Sequence, residues 1–166
     1  TPAEMTTMLT AAPKWIIPTL ALKSFCGIRT EELFYLKWEN IRFEQGIIWL
    51  EKKITKKKQS RAVPILPNLK LWLEPYRDEK GSVAERWSSP QSMTKAWSER
   101  AKHVGVKYKR NAMRNSYISY RLADTKKIQQ VALESGNSPQ VIQGEYWELV
   151  TEAEALAWFS IVPKST

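Results

Sequence analysis

The amino-acid sequence predicts an α+β fold that is mainly helical and contains one small antiparallel sheet of three strands. Helix-capping signals recur along the chain, the first at Thr1–Glu4 and the last at Thr151–Glu154. Strand-like apolar runs separated by short turns occur in one region, residues 41–66. The chain has 166 residues, 43% of them hydrophobic and eight of them Trp, so it can bury a core as one domain.

The first part of the chain is predicted to be helical. Thr1 and Glu4 form a capping box around Pro2, which favours a helix that ends at about Ala11. An apolar helix is predicted from about Trp15 to Cys26, and Gly27 is a typical residue to end it. We expect Thr30 to cap a third helix.

The pattern changes after Asn40. A hairpin is predicted from two strands, 41–43 and 47–50, joined by the turn 44–46. A lysine-rich turn at 56–60 then leads to a third strand, 61–66.

Helices are predicted again over the rest of the chain. Their expected ranges are 68–76, 90–103, 111–123 with Asn111 as the N-cap, 126–133, 139–146 and one that begins after Thr151. The last helix carries Ala155, Trp158, Phe159 and Val162 with helical spacing, and we expect this apolar face to pack within the same chain.

Composition excludes several kinds of site. The net charge of +9 favours a polyanionic partner. Cys26 is the sole cysteine, so no internal disulfide can form, and its apolar surroundings predict a buried thiol without a chemical role. His103 is the sole histidine and has no partner at metal-ligand spacing. No apolar run reaches the roughly 20 residues of a membrane span.

Three motifs follow one another in a recognisable order. They are GIRTEEL at Gly27–Leu33, TKKKQSRAVPI at Thr55–Ile65, and N-x-x-R at Asn111–Arg114 followed by N-S-P…Y at Asn137–Tyr146. In this order they resemble the catalytic domain of tyrosine recombinases, the phage integrase family. The resemblance covers nearly the whole chain and implies that residues 1–166 form that domain.

The resemblance assigns a role to individual residues. Arg29 matches the first catalytic arginine, with Glu32 at the acidic position three residues later. Lys56 matches the catalytic lysine in the turn of the sheet. Arg114 matches the second arginine, and Tyr146 matches the nucleophile.

The chain departs from the family pattern at three asparagines. The family usually has histidine three residues before the second arginine, where this chain has Asn111, and His or Trp at the position of Asn137. Histidine is also common directly after the second arginine, where Asn115 stands. Asparagine donates hydrogen bonds to phosphate but cannot accept a proton as imidazole does. We expect these changes to affect catalysis more than DNA binding.

The residue types suit attack on a DNA phosphate. Arginines hold two phosphate oxygens at once and stabilise the charge of the transition state, so no metal or other cofactor is expected. A tyrosine among fixed cations can attack phosphorus and form a 3′-phosphotyrosyl link. Lys56 would protonate the 5′ leaving oxygen, and Glu32 would orient an arginine. The link keeps the bond energy, so the strand can be rejoined without ATP.

Double-stranded DNA is therefore the expected partner. The residues expected to contact it are Lys53, Lys57, Lys58, Arg61, Lys109 and Arg110, with further contacts from Lys102, Lys107, Arg121, Lys126 and Lys127. By resemblance, the full-length protein has a separate N-terminal DNA-binding domain, absent from this chain, and forms a tetramer on DNA. We expect the isolated fragment to be a monomer. We also expect the protein to be cytoplasmic and of bacterial or phage origin.

Each residue also has an ordinary structural explanation. Arg29 can be a C-terminal helix cation, the lysines can be a solvated hairpin edge, and Tyr146 can be a core aromatic flanked by Glu145 and Glu148. Arg114 opposes the helix dipole, which favours a bound anion there. As alternative functions, a noncatalytic DNA-binding relative, a type IB topoisomerase and a basic protein-interaction module stay open.

Overall fold

The computed structural model describes residues 1–147 and 149–164, and within them it confirms a mainly helical fold with one three-stranded antiparallel sheet. The helices are α1 (Pro2–Thr10), α2 (Ile17–Phe25), α3 (Thr30–Phe34), α4 (Pro67–Leu73), α5 (Pro90–His103), α6 (Ala112–Thr125), α7 (Ile128–Ser135), α8 (Pro139–Tyr146) and α9 (Glu152–Phe159). The strands are β1 (Ile41–Arg42), β2 (Ile47–Leu50) and β3 (Arg61–Pro64), and 3₁₀ turns lie at Trp38–Asn40 and Glu74–Tyr76.

Local capping signals place most helix ends correctly. The capping boxes that begin at Thr1 and Thr151 are both present, and Ser89 caps α5. Helix α2 begins two residues later than predicted, because Pro18 belongs in the first turn of a helix, where its missing N–H is tolerated.

Thr30 does not cap α3 as predicted. The N-cap is Arg29, whose extended backbone (φ −64°, ψ 148°) precedes the first helical residue, Thr30. The carboxylate of Glu32 accepts a 3.0 Å hydrogen bond from the Arg29 N–H, so the polar group that completes this helix end comes from the third helical position. The Thr30 hydroxyl instead accepts a 3.0 Å hydrogen bond from Lys23 Nζ.

Asn111 occupies the N-cap of α6, but its side chain does not cap the helix as predicted. Its backbone is left-handed (φ 60°, ψ 4°), and its amide makes no capping hydrogen bond. A capping side chain needs an extended backbone at this position, whereas asparagine tolerates the left-handed region well. The side chain is therefore exposed beside the helix start.

The sheet has the order β1-β2-β3, and its apolar face joins the core. Ile48 of β2 pairs with Ile41 of β1 on one side and with Val63 of β3 on the other, and Ile48 and Val63 are fully buried. Strand β3 ends at Pro64, two residues earlier than predicted, because Pro67 begins α4 and Leu66 is its N-cap. This arrangement brings Arg61, the first residue of β3, against α7.

Helix α2 is the centre of the core, and α1, α3, α4 and α6 pack around it. Helix α9 packs in cis as expected, because Trp158 stacks on Tyr120 with 4.7 Å between ring centroids and donates from Nε1 to the Ser24 carbonyl. Val162 departs from the predicted apolar face and is exposed. The Cys26 thiol is buried as predicted, and burial holds its pKa above the usual range. Among the helices described here, none combines the length and hydrophobicity that crossing a membrane requires.

Gly27 joins α2 to α3 in a conformation that a larger residue cannot share. Its φ is +60°, and a Cβ placed on it would overlap the ring of Tyr117 from α6. We expect Gly27→Ala to lower the free energy of unfolding by more than about 2 kcal/mol, since left-handed strain of about 1–2 kcal/mol adds to an overpacking cost of about 1–3 kcal/mol. Urea unfolding measures this loss.

Gly46→Ala is the matched control. Its φ is +66°, but a Cβ there meets nothing within 4 Å, so only the left-handed backbone cost of about 1–2 kcal/mol is expected, without the overpacking cost. Equal losses for the two variants would contradict the packing explanation.

Candidate active site

The buried carboxylate of Glu32 is the centre of a cluster of arginines. Its Oε1 accepts from Arg61 Nη1 at 2.9 Å and from Arg29 Nη1 at 3.1 Å, and its Oε2 accepts from Arg61 Nη2 at 2.6 Å. The side chain is only 1% exposed. Burial alone would raise the pKa of Glu32, but the hydrogen bonds and charges of Arg61 and Arg29 lower it to about 2.

The two predicted catalytic arginines meet at one amide oxygen. Asn137 Oδ1 accepts from Arg29 Nη2 at 3.0 Å and from Arg114 Nη2 at 3.2 Å. Arg29 comes from the start of α3, Arg114 from the first turn of α6, and Asn137 from the connection between α7 and α8. Three distant segments therefore converge, and the guanidinium groups lie side by side. No hydrogen bond from Asn137 Nδ2 to another described residue is present, so this donor can serve a ligand.

Backbone carbonyls hold Arg114 in place. Its Nη2 donates to Ser135 O at 2.8 Å, and its Nη1 donates to Gly27 O. The side chain is 7% exposed, and this burial lowers its pKa to about 10, with the charge of Arg29 acting in the same direction. At neutral pH the group is still a cation. The carbonyls explain how a cation is accommodated at the positive end of a helix.

Arg61 belongs to this cluster. Both of its Nη atoms bind Glu32, its Nε donates to Glu134 O at 3.1 Å, and its side chain is 12% exposed. A direct contact of Arg61 with DNA stays a prediction, and its Nε, Nη1 and Nη2 atoms each donate within the chain in this structure. The expected DNA contact of Arg121 likewise stays a prediction, and Glu134 and Asp124 bind its guanidinium.

A second polar network fastens α6 to α7 behind the site. The buried Glu134 carboxylate accepts from Arg121, from Tyr117 Oη at 2.8 Å and from Gln130 at 2.7 Å. Burial opposes ionisation of Glu134, but the hydrogen bonds from Arg121 and Gln130 prevail and lower its pKa. This network fixes the helix that leads into Gly136, where a Cβ would lie 2.9 Å from Arg29 Nη1.

Tyr146 is half-buried at the end of α8, and its hydroxyl donates to Asn115 Oδ1 at 3.2 Å. The phenol is therefore not locked in the core. Burial and the charge of Glu145 raise its pKa, while Arg114 acts in the opposite direction. Asn115 directly follows Arg114 on α6. This one helix therefore contributes both the contact to Tyr146 and an arginine of the cluster. The other flanking carboxylate, Glu148, lies outside the described residues.

Lys56 is exposed on the turn between β2 and β3. Thr55 fastens this turn, because its hydroxyl donates to Gln59 O at 2.8 Å and accepts from the Gln59 N–H. Within residues 1–147 and 149–164, no hydrogen bond joins Lys56 to the arginine cluster. Arg61, which is hydrogen-bonded to Glu32, follows Lys56 by five residues. A fully extended chain of that length reaches at most about 18 Å.

The remaining predicted residues lie at the surface near these elements. Asn111, Lys109 and Arg110 are exposed just before α6, and Lys57 and Lys58 are exposed on the same turn as Lys56. Lys53 is exposed and pairs with Glu51 at 2.7 Å. In the part of the chain that the structure describes, no three His, Cys, Asp or Glu side chains converge as a metal site would require.

Sequence reasoning assigned no role to three residues at this site. Asn115 was noted only as a departure from a family pattern, and Gly136 was not singled out. Lys23 was also not singled out, although a charged residue in the apolar run of α2 is a signal that could have pointed to it. Together the site offers fixed cations, amide donors and a phenol, a combination suited to holding an anion and attacking it.

Comparison with known proteins identifies the family and the fold. The profile of the phage integrase family matches residues 2–132. Among solved structures, a crystal structure of XerA recombinase has the same fold, with a TM-score of 0.73 and 16% sequence identity over 93% of this chain. The match covers 59% of that protein, so this chain spans less than two thirds of its length. Among curated protein sequences none matches.

The low pKa of Glu32 predicts how stability changes in acid. The carboxyl has an ordinary pKa of 4.5 when unfolded and about 2 when folded, so it stabilises the fold fully above about pH 4.5. This contribution, about 3 kcal/mol, is lost progressively as the pH falls from about 4.5 to about 2. Glu32→Gln should therefore be less stable than wild type near neutrality, and the gap should narrow over that acid range.

Denaturant unfolding at a series of pH values measures the gap. Glu99→Gln serves as the control, because Glu99 is exposed and its only described partner is Lys95 at 3.8 Å. A gap for Glu32→Gln that stays constant from neutral to acid pH would contradict the low pKa.

Proposed function

Because the chain belongs to the phage integrase family, we propose that it cleaves and rejoins DNA strands through a 3′-phosphotyrosyl intermediate. In this proposal the chain is the catalytic domain of a site-specific recombinase, with Tyr146 as the nucleophile. A separate N-terminal DNA-binding domain, tetramer formation on DNA, a cytoplasmic location and a bacterial or phage origin complete the proposal.

The observation that carries the proposal is the meeting of Arg29 and Arg114 at a single oxygen atom, Asn137 Oδ1. Two guanidinium groups that share one acceptor are close enough to share two oxygens of one phosphate. Glu32 and the backbone carbonyls hold both groups before any ligand arrives, so little reorganisation is needed at the moment of reaction.

The proposed reaction uses the described groups as follows. Tyr146 Oη forms a bond to phosphorus, and the bond from phosphorus to the 5′ oxygen breaks. Arg29 and Arg114 stabilise the charge on the nonbridging oxygens, and Lys56 on the turn gives a proton to the 5′ oxygen. Attack of a 5′ hydroxyl on the phosphotyrosyl bond reverses each step and rejoins the strand.

Three amides replace imidazoles in this proposal. Asn115 accepts the Tyr146 hydrogen bond and orients the phenol, but it cannot keep the proton, which must pass to solvent or to phosphate. The Asn137 oxygen accepts hydrogen bonds from both arginines, and its Nδ2 can donate to the phosphate. Asn111, exposed one turn before Arg114, can donate to the same phosphate.

The same observation favours a second candidate, a noncatalytic DNA-binding relative. A site with amides in place of imidazoles holds a phosphate without a good proton acceptor near the nucleophile, and the Tyr146 pKa is raised. Such a protein would retain DNA and form no adduct. A type IB topoisomerase would instead relax supercoiled plasmid without a preferred site, and a basic protein-interaction module would bind its partner with little dependence on salt.

The first test is a suicide substrate, a nicked duplex from which the short cleaved product diffuses away. We expect wild-type protein to form a covalent adduct on a denaturing gel. Tyr146→Phe should abolish this adduct, because the attacking oxygen is removed while the ring remains.

Tyr35→Phe is the matched control, since Tyr35 is 60% exposed and lies outside the arginine cluster. It should keep the adduct at the wild-type level. An adduct that persists in Tyr146→Phe would end the assignment of the nucleophile, and DNA retention without any adduct would support the noncatalytic relative.

A second test concerns the basic turn between β2 and β3. We expect the logarithm of the DNA association constant to fall steeply with the logarithm of salt concentration. Replacing Lys57 and Lys58 together by Ala should reduce that slope by about 1–2, because each phosphate contact contributes about 0.9. Fluorescence anisotropy with a labelled duplex measures the slope.

The control for this test is Lys95→Ala on α5, which removes an exposed charge away from the turn. Its slope should equal that of wild type. An affinity that does not change with salt would favour the protein-interaction module.

A further inference from the structure

Lys23 is a buried lysine that contacts the segment around Arg29 and that the proposed chemistry does not use. It lies in the middle of α2 and is 1% exposed. Its Nζ donates to Ile28 O at 2.9 Å and to Thr30 Oγ1 at 3.0 Å. These two acceptors belong to the neighbours of Arg29 in sequence, so Lys23 holds the backbone carbonyl before that arginine and the Thr30 side chain after it.

A second cation holds the same segment. Arg114 from α6 donates to Gly27 O, the carbonyl just before the one that Lys23 binds. Two consecutive carbonyls therefore accept hydrogen bonds from two buried basic side chains, one from α2 and one from α6. The position of Arg29, and so of its guanidinium, depends on both of them.

The surroundings of Lys23 disfavour its charge. Burial lowers its pKa to about 7, the charge of Arg114 acts in the same direction, and Glu32 partly opposes them. Cys26 would raise the pKa of Lys23 only as a thiolate, which burial of Cys26 disfavours, and Arg29 lowers the pKa of Lys23 further. At neutral pH a small change of local charge is therefore enough to change the protonation of Lys23.

Other charged groups on the helices around α2 are exposed or paired elsewhere. Glu4 of α1 pairs with the N-terminal amine, Glu31 of α3 and Lys70 of α4 are exposed, and Arg121 and Asp124 of α6 pair with each other. Within the described residues, the groups that act on Lys23 are thus those of the arginine cluster.

We propose that Lys23 is a positioning residue of the phosphate site, which sets the backbone around Arg29 and takes up a proton when an anion occupies Arg29 and Arg114. This inference rests on the proposed function for the identity of the anion, a DNA phosphate. It concerns anion binding alone and requires no strand cleavage.

The coupling follows from the charges. An anion between Arg29 and Arg114 offsets the positive charge that opposes the Lys23 ammonium, so the protonated form becomes more favourable. By reciprocity, the site binds the anion more tightly when Lys23 is protonated. Anion affinity should therefore be highest below about pH 7 and should fall as the pH rises through the range in which Lys23 loses its proton.

The probe is inorganic sulfate, whose charge is constant over this range. In the full chain labelled with ¹⁵N, the Arg29 and Arg114 Nε–Hε signals report occupancy, and the Lys23 Nζ signal reports protonation. We expect sulfate to raise the titration midpoint of Lys23. The sulfate affinity of wild type should fall on the order of 5-fold or more from about pH 6 to about pH 9, a typical size for coupled sites.

Variants separate the charge from the structure. Lys23→Met should bind sulfate more weakly at low pH and show no such pH dependence, whereas Lys23→Arg, which stays charged, should restore binding that is flat with pH. Lys70→Met is the matched control, since it removes an exposed lysine from α4 and should keep the wild-type pH profile. If either Lys23 variant fails to fold, the effect of sulfate on the Lys23 titration midpoint in wild type tests the inference alone.

An unchanged Lys23 midpoint with sulfate bound would overturn the inference, as would a Lys23→Met variant that keeps the wild-type pH profile. Sulfate that leaves the Arg29 and Arg114 signals unmoved would also overturn it. Failure of the proposed function has a different signature, because a protein without an adduct on the suicide substrate can still show sulfate binding coupled to Lys23.

Discussion

The buried carboxylate of Glu32 is the interaction on which the candidate site depends. Removing a carboxylate from water is costly, and here four hydrogen bonds from Arg29 and Arg61 compensate for that cost. Without this negative charge, the guanidinium groups of Arg29, Arg61 and Arg114 would repel one another in a region from which water is largely excluded. Glu32 therefore makes a dense group of cations compatible with a stable fold.

Hydrogen bonds to backbone carbonyls complete the positioning of Arg29 and Arg114. Arg114 binds the carbonyls of Gly27 and Ser135, and Arg29 binds that of Gly136 at 2.8 Å. These carbonyls lie at helix ends, where they have no partner within the helix. Each helix end thus gains a hydrogen-bond donor, and each guanidinium group is held in one orientation. The site and the packing of α2, α3, α6 and α7 are consequently inseparable.

The amides give the site hydrogen-bonding and proton-transfer properties that differ from those of imidazoles. Asn137 brings the two arginines together through its oxygen, a role that a protonated imidazole cannot take because it has no acceptor. Asn115 similarly accepts from Tyr146 without being able to retain a proton. The chain is therefore better equipped to bind and orient a phosphate than to move protons around it, which places more of the proposed proton transfer on Lys56.

Sequence alone determined the fold class, most helix ends and the set of residue types at the site. These features depend on neighbours within a few positions, such as the capping boxes at Thr1 and Thr151, or on the order of motifs along the chain. Tertiary structure decided where the side chains point. Arg29 and Gly136 are 107 residues apart and Arg61 and Glu134 are 73 apart, so no local pattern could show that these groups meet. For the same reason, sequence assigned Arg61 to the surface and gave no role to Lys23, although burial and long-range partners define both.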